Sequence, residues 1–465
     1  MNGELYYEPE LRAHLAKSYK FTSTSDSEVA IALYREYGLD FLTHLRGEFS
    51  LVLYDGRDQT LVVARDRFGV KPLHYGIFDG KLLIATQCKG IKELLDDGRQ
   101  LRWDVKGIAE GAGHYGSRTM FEGITKFPPG NVLVVKQGSD EPLKFQQYWP
   151  TTYPPNSGHS DHRSATQLAG ELRAELLEAV RLRLTLTDVP VGLLLSGGVD
   201  SSAVAGMAAD LAQRRLQESN GQAPGLPTCF TIGFPDDGAF DESAVASRTA
   251  EHLGLPLERI LVTEQVLADE LEASCWLGEM PMWDLQHVAK KAMSKHIASR
   301  KLKVVLNGDG ADEFFGGYSF FAADRLEGDD NYRAPELQST VPGQLETVRS
   351  NQNQNTAWFG TERVDSGQQD QYARALGLPP AFCKMAVSTH HDWLLKNLKE
   401  CGNPFEGIYD TFTPKEREQM AAIHPMQRGM WAWRKTILPN MVIAAISDGA
   451  EMGEQLFNRD KVIRS

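Results

Sequence analysis

Apolar and polar positions alternate with a period of two through much of the first third of the chain. Glu48 to Tyr54, Thr60 to Ala64, Lys81 to Ala85 and Asn131 to Val135 each read as a short strand. Asp55-Gly56 and Asp79-Gly80 are turn signals between them, and Gly138-Ser139-Asp140 follows the last. Val29, Leu33 and Tyr37 recur at helical spacing, with Gly38 placed to end that helix. The pattern predicts an antiparallel α+β domain over residues 1–150. A Pro-, Ser-, Gly- and His-rich stretch follows and predicts a linker over 151–163.

The period then changes. Ser164-Ala165-Thr166-Gln167 fits a capping box, and Leu168, Leu172, Leu176, Val180 and Leu184 would form one apolar stripe on the helix it opens. Short buried-type strands at Val191 to Leu195, Thr228 to Gly233, Arg259 to Val262 and Lys303 to Leu306 alternate with helical stretches such as Ser201 to Leu216 and Asp241 to Leu253. Strand alternating with helix predicts an α/β, doubly wound parallel sheet over 164–465. Residues 327–372, centred on Asn351-Gln352-Asn353-Gln354-Asn355, read as a polar surface insertion.

Composition narrows the function. The chain has 465 residues, with 49 Lys and Arg against 62 Asp and Glu, a net charge of −13. That balance argues against nucleic-acid and anionic-membrane binding, both of which need a basic face. No apolar run is long enough to span a bilayer. Five cysteines, at 88, 229, 275, 383 and 401, are scattered and form no Cys-x-x-Cys pair, which fits a reducing, cytoplasmic setting. His390-His391-Asp392 reads as a surface group rather than a metal site, and Trp431-Ala432-Trp433-Arg434-Lys435 as helix packing with a basic rim.

Two segments carry candidate chemistry. Val191-Gly192-Leu193-Leu194-Leu195 leads into Ser196-Gly197-Gly198-Val199-Asp200-Ser201-Ser202. Glycines that admit a close backbone approach, hydroxyl donors and a helix N-terminus together make a phosphate cradle. It lacks the lysine of the common P-loop. Asp200 would repel phosphate unless Mg²⁺ lay between them. The second segment, Leu306-Asn307-Gly308-Asp309-Gly310-Ala311-Asp312-Glu313, also follows a predicted strand, where ligands bind in open parallel sheets. Its crowded carboxylates would be relieved if Asp312 and Asp200 shared a cation.

These residues resemble a family. The strand followed by Ser-Gly-Gly-Val-Asp-Ser looks like the pyrophosphate loop of ATP pyrophosphatases. Leu306-Asn307-Gly308-Asp309-Gly310-Ala311-Asp312-Glu313-Phe314-Phe315-Gly316-Gly317-Tyr318 is similar to the corresponding stretch of glutamine-hydrolysing asparagine synthetases. Asn2-Gly3-Glu4-Leu5-Tyr6, Ser25-Asp26-Ser27-Glu28-Val29, Leu45-Arg46-Gly47-Glu48-Phe49 and Ala64-Arg65-Asp66-Arg67-Phe68-Gly69-Val70-Lys71-Pro72-Leu73 resemble that family's class II glutamine amidotransferase domain.

The resemblance implies an N-terminal-nucleophile-type sandwich, incomplete here, ahead of an ATP-pyrophosphatase-type domain. It also implies ATP and Mg²⁺ as ligands, and aspartate with ammonia or glutamine as substrates; a homodimer is compatible with it. By position, Leu195 and Ile232 would contact adenine. Ser196, Gly197, Gly198 and Ser201 would hold pyrophosphate, Asp200 and Asp312 would ligate Mg²⁺, and Asn307 and Gly308 would lie at the ribose. Asp309 stands where the family has Glu and would position ammonia or take its proton. Asn2, Gly3, Glu4 and Asp26 match its glutamine site.

The family's nucleophile is a cysteine at the processed N-terminus. Residue 2 is Asn here, and no cysteine precedes Cys88, so the glutaminase half is expected to be inactive. Ala450-Glu451-Met452 resembles the family, but its later catalytic lysine has no match, since Lys461 stands too early. Three readings stay open: amide formation from aspartate through an acyl-adenylate, a nucleotide-binding protein or partial gene product without turnover, and a related synthetase for another acid.

Overall fold

The alternating segments of the first half pair antiparallel. Strands β1 (Asn2–Leu5), β2 (Gly47–Asp55), β3 (Thr60–Arg65), β7 (Asn131–Lys136) and β8 (Phe145–Gln147) form a five-stranded sheet in the order β1-β2-β3-β7-β8. Strands β4 (His74–Phe78), β5 (Lys81–Ala85) and β6 (Thr125–Lys126) form a second sheet in the order β5-β4-β6. In this computed structural model the described residues are 1–95, 98, 100–111, 114–139, 141–150, 163–187, 189–220, 225–235, 241–280, 285–318, 320–321, 324, 370–388 and 403–444.

Both faces of β3 are buried, and its alternation decides the layers. Val62 and Ala64 turn toward helices α1 (Pro9–Leu15), α2 (Asp26–Tyr37) and α3 (Phe41–His44), packing with Leu15, Val29, Leu33 and Phe41. Val63 and partly buried Leu61 turn the other way, onto Tyr75 and Leu82 of the second sheet and onto Leu73 and Phe127 at its ends. Helix α4 (Cys88–Leu94) covers the far side of that sheet through Cys88 and Ile91. The result is a helix–sheet–sheet–helix sandwich. The short helix α5 (Val105–Ala109) lies beside it.

The turns confirm their sequence signals. Asp79 and Gly80 both take positive φ, as a two-residue hairpin demands. Gly38, at φ +57, ends α2. Strand β1 carried no alternation signal. It is fixed by pairing with β2, where Gly3 lies opposite Phe49 and a Cβ on Gly3 would fall 2.0 Å from the Glu48 carbonyl oxygen.

Glu28, in the first turn of α2, is tied to the preceding loop. Its carboxylate accepts from the Ser23 hydroxyl (2.7 Å) and amide (2.7 Å) and from the Thr22 amide (2.8 Å) and hydroxyl (2.9 Å). These donors, the Ser23 hydroxyl foremost, hold the Glu28 carboxyl down to about 2. A carboxyl depressed in the folded state supports the fold above its unfolded value and loses that support as pH falls toward the folded one. Urea midpoints should therefore fall between about pH 4.5 and pH 2, and Glu28→Gln should flatten that slope. An unchanged slope in the variant would refute the assignment.

The second half is a four-stranded parallel sheet. Strands β9 (Val191–Leu194), β10 (Cys229–Gly233), β11 (Leu257–Leu261) and β12 (Val304–Leu306) lie in the order β11-β10-β9-β12. Leu193, Leu195, Cys229, Val304 and Leu306 face one side, with residues of helices α6 (Ala165–Thr185), α7 (Val199–Glu218) and α8 (Ser243–Leu253). Leu194, Phe230, Ile260 and Val305 face the other, with Val266 and Leu267 of α9 (Glu264–Gly278) and Met293 and Ile297 of α10 (Gln286–Ser299). Helices thus cover both faces. Beyond β12 comes the short helix α11 (Ala311–Phe315).

A helical unit follows, with segments at Gln371–Leu376, Pro380–Ser388, Pro404–Asp410, Pro414–Ala421 and Pro425–Lys435 and a π-helical stretch at Leu438–Val442. Trp431 and Trp433 are both buried in its core, as the packing reading required. Its basic rim is engaged: Lys435 pairs with Glu416 at 2.7 Å, and the Arg434 guanidinium lies over Phe314.

One expectation needs correction. Ser164 and Gln167 do form the capping box, and Val180 is buried, but Leu168 is 38% and Leu172 40% exposed. The helix has 21 residues, about 31 Å of length, whereas the strand it covers has four, about 13 Å. Its first turns overhang the sheet. The linker up to residue 162, most of 327–372, His390-His391-Asp392, Ala450-Glu451-Met452 and Lys461 lie outside the described residues.

The halves meet at several specific points. Glu279, in the left-handed conformation just past α9, accepts from the amides of Cys88 (2.6 Å) and Lys89 (2.8 Å) at the start of α4. Arg183 pairs with Glu48, and Lys106 with Glu406 at 2.8 Å. The Tyr115 hydroxyl donates to the Ala386 carbonyl at 2.9 Å, which ties the sandwich to the helical core.

Candidate active site

Strand β9 stops where its sequence turns from apolar to small and polar. The chain leaves the sheet at Leu195, whose side chain stays in the core, so only its backbone is available to a ligand. Gly197 takes φ +91, and a Cβ there would lie 2.9 Å from Val245, so the turn demands glycine. The Ser196 amide donates to the Ser201 hydroxyl at 3.2 Å, and the two hydroxyls lie 3.0 Å apart. The Ser201 hydroxyl also reaches the Gly198 carbonyl at 3.2 Å. These bonds close the loop into a ring around the start of α7. No side chain caps that helix at Gly198, so its first-turn amides remain open to an anion.

The loop after β12 lies against this ring. Strands β9 and β12 are direct neighbours, and β10 leaves β9 on the opposite side, so the two loops flank the point where the strand order reverses. Contact is tight. A Cβ on Gly308 would meet the Ser201 amide nitrogen at 2.8 Å and Asp200 atoms at 2.9 Å. Asn307 is fixed by its neighbour: its amide donates to Asp309 Oδ2 at 2.8 Å, and its oxygen accepts from the Asp309 amide at 3.3 Å.

The carboxylates of the two loops sense each other. Burial raises the Asp312 carboxyl, and the charges of Asp200 and Asp309 raise it further. Glu313 is buried, and burial pushes its carboxyl up as well; the Tyr318 hydroxyl donates to it at 2.8 Å. Asp200 and Asp312, on two loops that touch at Gly308, are oxygen donors of the kind that suits Mg²⁺ carried by substrate phosphates, whose own oxygens and water complete the shell. Among the described residues no group of three or more His, Cys, Asp or Glu is arranged to hold a metal ion by itself. The two carboxylates fit a cation that arrives with the phosphates of a nucleotide.

Ile232 lies one residue before the end of β10, half-buried against the core beneath this crevice. The sequence-predicted residues of the second half are therefore gathered at the carboxyl ends of β9, β10 and β12. One participant was not legible in the sequence. Lys290 of α10 reaches Asp309 Oδ2 at 3.2 Å. Lys290-Lys291 looks like an ordinary basic pair, and its neighbour Lys291 indeed bonds to Glu270 of α9. Only the packing of α10 against α9 and the sheet separates their roles.

In the sandwich, Asn2, Gly3 and Glu4 lie on β1, and Asp26 is brought to its end: Asp26 Oδ2 accepts from the Leu5 amide at 2.9 Å, while Oδ1 accepts from Ser27 at 2.8 Å. Cys88 is no part of this group. It is buried, and burial with the nearby Glu279 charge raises its thiol well above the ordinary range, so no thiolate forms there at neutral pH. A further point of contact links the halves beside the crevice. Phe68 of the sandwich packs edge-on against Phe314 of α11, with centroids 5.1 Å apart.

A glycine- and hydroxyl-bearing loop with open helix amides at the ends of parallel strands, joined to an antiparallel sandwich, defines a two-part protein whose second half is doubly wound α/β. Comparison with known proteins agrees. The asparagine synthase family matches residues 171–459 and the glutamine amidotransferase domain residues 1–149. The chain belongs to the asparagine synthase family. It is 35% identical to Amidase chyE of Penicillium rubens and 34% identical to Amidase chry2 of Gibberella zeae, in each case over 99% of this chain and 68% of the relative. It is 31% identical to Asparagine synthetase [glutamine-hydrolyzing] 1 of Bacillus subtilis, over 69% of this chain and 47% of that protein. No helix among the described residues is long and apolar enough to cross a membrane.

Proposed function

We propose that this chain forms an amide from a carboxylic acid and ammonia at the expense of ATP. The observation that carries the reading is the seating of Gly308 on Asp200 and Ser201, which brings the 196–201 loop and the acidic loop together. The synthetase unit is assigned to residues 164–465 and the glutaminase-like unit to 1–150, with 151–163 between them.

In this reading Ser196, Gly197, Gly198 and Ser201 hold the β- and γ-phosphates, assisted by the open amides of α7. The Leu195 backbone and Ile232 border the adenine, and Asn307 with Gly308 borders the ribose. Asp200 and Asp312 would hold Mg²⁺, which supplies charge neutralisation between the phosphates when bound. A carboxylate oxygen of the acid attacks the α-phosphorus, the bond to the bridging oxygen breaks, and pyrophosphate leaves. Ammonia then attacks the acyl carbon, the acyl–oxygen bond breaks, and AMP leaves. The extra proton of the new amide passes to a base, and Asp309 is the carboxylate placed to receive it. Asn2, Gly3, Glu4 and Asp26 are assigned to a glutamine site, and ammonia is the species that reaches the acyl carbon.

Aspartate is the acid that the resemblance implies. The two relatives named as amidases favour the wider class, another carboxylic acid. The test is release of AMP and pyrophosphate from MgATP with ammonium and a panel of acids, with glutamine in parallel. Acid-dependent AMP is expected. Nucleotide binding with no AMP for any acid would instead mark a non-catalytic protein, and glutamine hydrolysis at a comparable rate would overturn the inactive glutaminase.

A further inference from the structure

Asp309 is not a free carboxylate. Its Oδ2 takes two donors, Lys290 Nζ at 3.2 Å and Asn307 Nδ2 at 2.8 Å, while among the described residues nothing donates to Oδ1. The pair is neither buried nor fully solvated: the side chains are 21% and 26% exposed. Lys290 has no other partner among the described residues. Its ammonium comes from α10, on the face of the sheet opposite α7 and the phosphate cradle. It therefore approaches the crevice from the face of the sheet away from α7.

We propose that Lys290 and Asp309 form an acceptor-reading pair, and that the acid amidated here is one without an α-ammonium group. The inference rests on the amide-forming reading above and specifies its substrate class. An amino-acid substrate is held by an unpaired carboxylate that takes its ammonium. Among the described residues on the β12 side of this crevice the carboxylates are otherwise engaged. Asp312 lies with Asp200, Glu313 is buried against Tyr318, and Asp309 already holds a lysine. A second cation brought to Asp309 would meet the Lys290 ammonium at close range, a like-charge contact that discriminates strongly in a partly desolvated site. An acid with a neutral or anionic group in that place meets no such repulsion, and an anionic one gains a partner.

The pairing also orients the carboxylate. With Oδ2 tied by two donors, Oδ1 is the oxygen left to meet the incoming ammonia. Lys290 is then a positioning residue for that step as well as the group that reads the acid.

The experiment compares matched acids that differ only in the α-ammonium: succinate with L-aspartate, glutarate with L-glutamate, and 3-phenylpropionate with L-phenylalanine. Each is supplied to the full chain with MgATP and ammonium, and AMP release is followed. At least one acid lacking the ammonium should exceed its amino partner by about tenfold or more in kcat/KM. Lys290→Met should narrow that ratio by about tenfold, chiefly through KM, and Lys290→Arg should restore it. An amino acid that outperforms its deaminated partner, or a ratio that Lys290→Met leaves unchanged, would overturn the inference while leaving the amide-forming reading intact. AMP release with none of the acids would sink both.

Discussion

Replacing Asp312 by Asn should abolish acid-dependent AMP release, by about 10²–10³-fold or more, without unfolding the protein. The carboxylate stands in the first turn of α11, pressed against Gly317 so closely that a Cβ there would lie 1.9 Å from Asp312 Oδ1. Asn has nearly the same shape and keeps that packing. What it removes is charge. In the absence of nucleotide, Asp312 is repelled by Asp200 and Asp309, so the variant should be at least as heat-stable as the parent. With MgATP the order should reverse, because the parent gains stability from ligand that the variant no longer binds well. Melting curves with and without MgATP give both signs in one experiment. A variant that loses stability without ligand and keeps AMP release would refute the assignment of Asp312.

The second large effect concerns folding. Trp431 is fully buried in the core of the C-terminal helical unit, edge-on to Phe412 at 5.6 Å. Trp431→Ala should cost about 3–5 kcal/mol, the usual penalty for removing a large aromatic side chain from a closed core. Trp431→Phe should cost less, because much of the volume is retained. The loss should spread to the domain contact, since Tyr115 of the sandwich lies in the same core. Urea denaturation followed by circular dichroism measures the loss. Midpoints unchanged in the Ala variant would contradict the closed packing of this core.

How far the chain could be read in advance depended on how local each feature is. Strands β2, β3, β5 and β7 and the four strands of the parallel sheet follow from runs of apolar residues and the turns that bound them, information carried within a few residues. The cradle at Ser196 to Ser201 was legible for the same reason: glycine, hydroxyl and helix start are consecutive in the chain. Strand β1 was not, because Asn2-Gly3-Glu4-Leu5 becomes a strand only through its neighbour β2. The apolar stripe of α6 misled for a related reason. Periodicity says which face is apolar but not how far the partner surface extends, and the short strands leave Leu168 and Leu172 uncovered. Lys290 was invisible, since its meaning comes from a contact 19 residues along the chain with Asp309.

The carboxylate of Glu279 has a consequence for exchanging parts between relatives. Two backbone amides at the start of α4 find their acceptor on the other half of the chain. A sandwich grafted onto a different synthetase unit would leave that helix start unsatisfied unless the recipient offered an acid at the same place. Module swaps in this protein should therefore succeed or fail on whether that one side chain travels with the junction, more than on overall sequence similarity between donor and host.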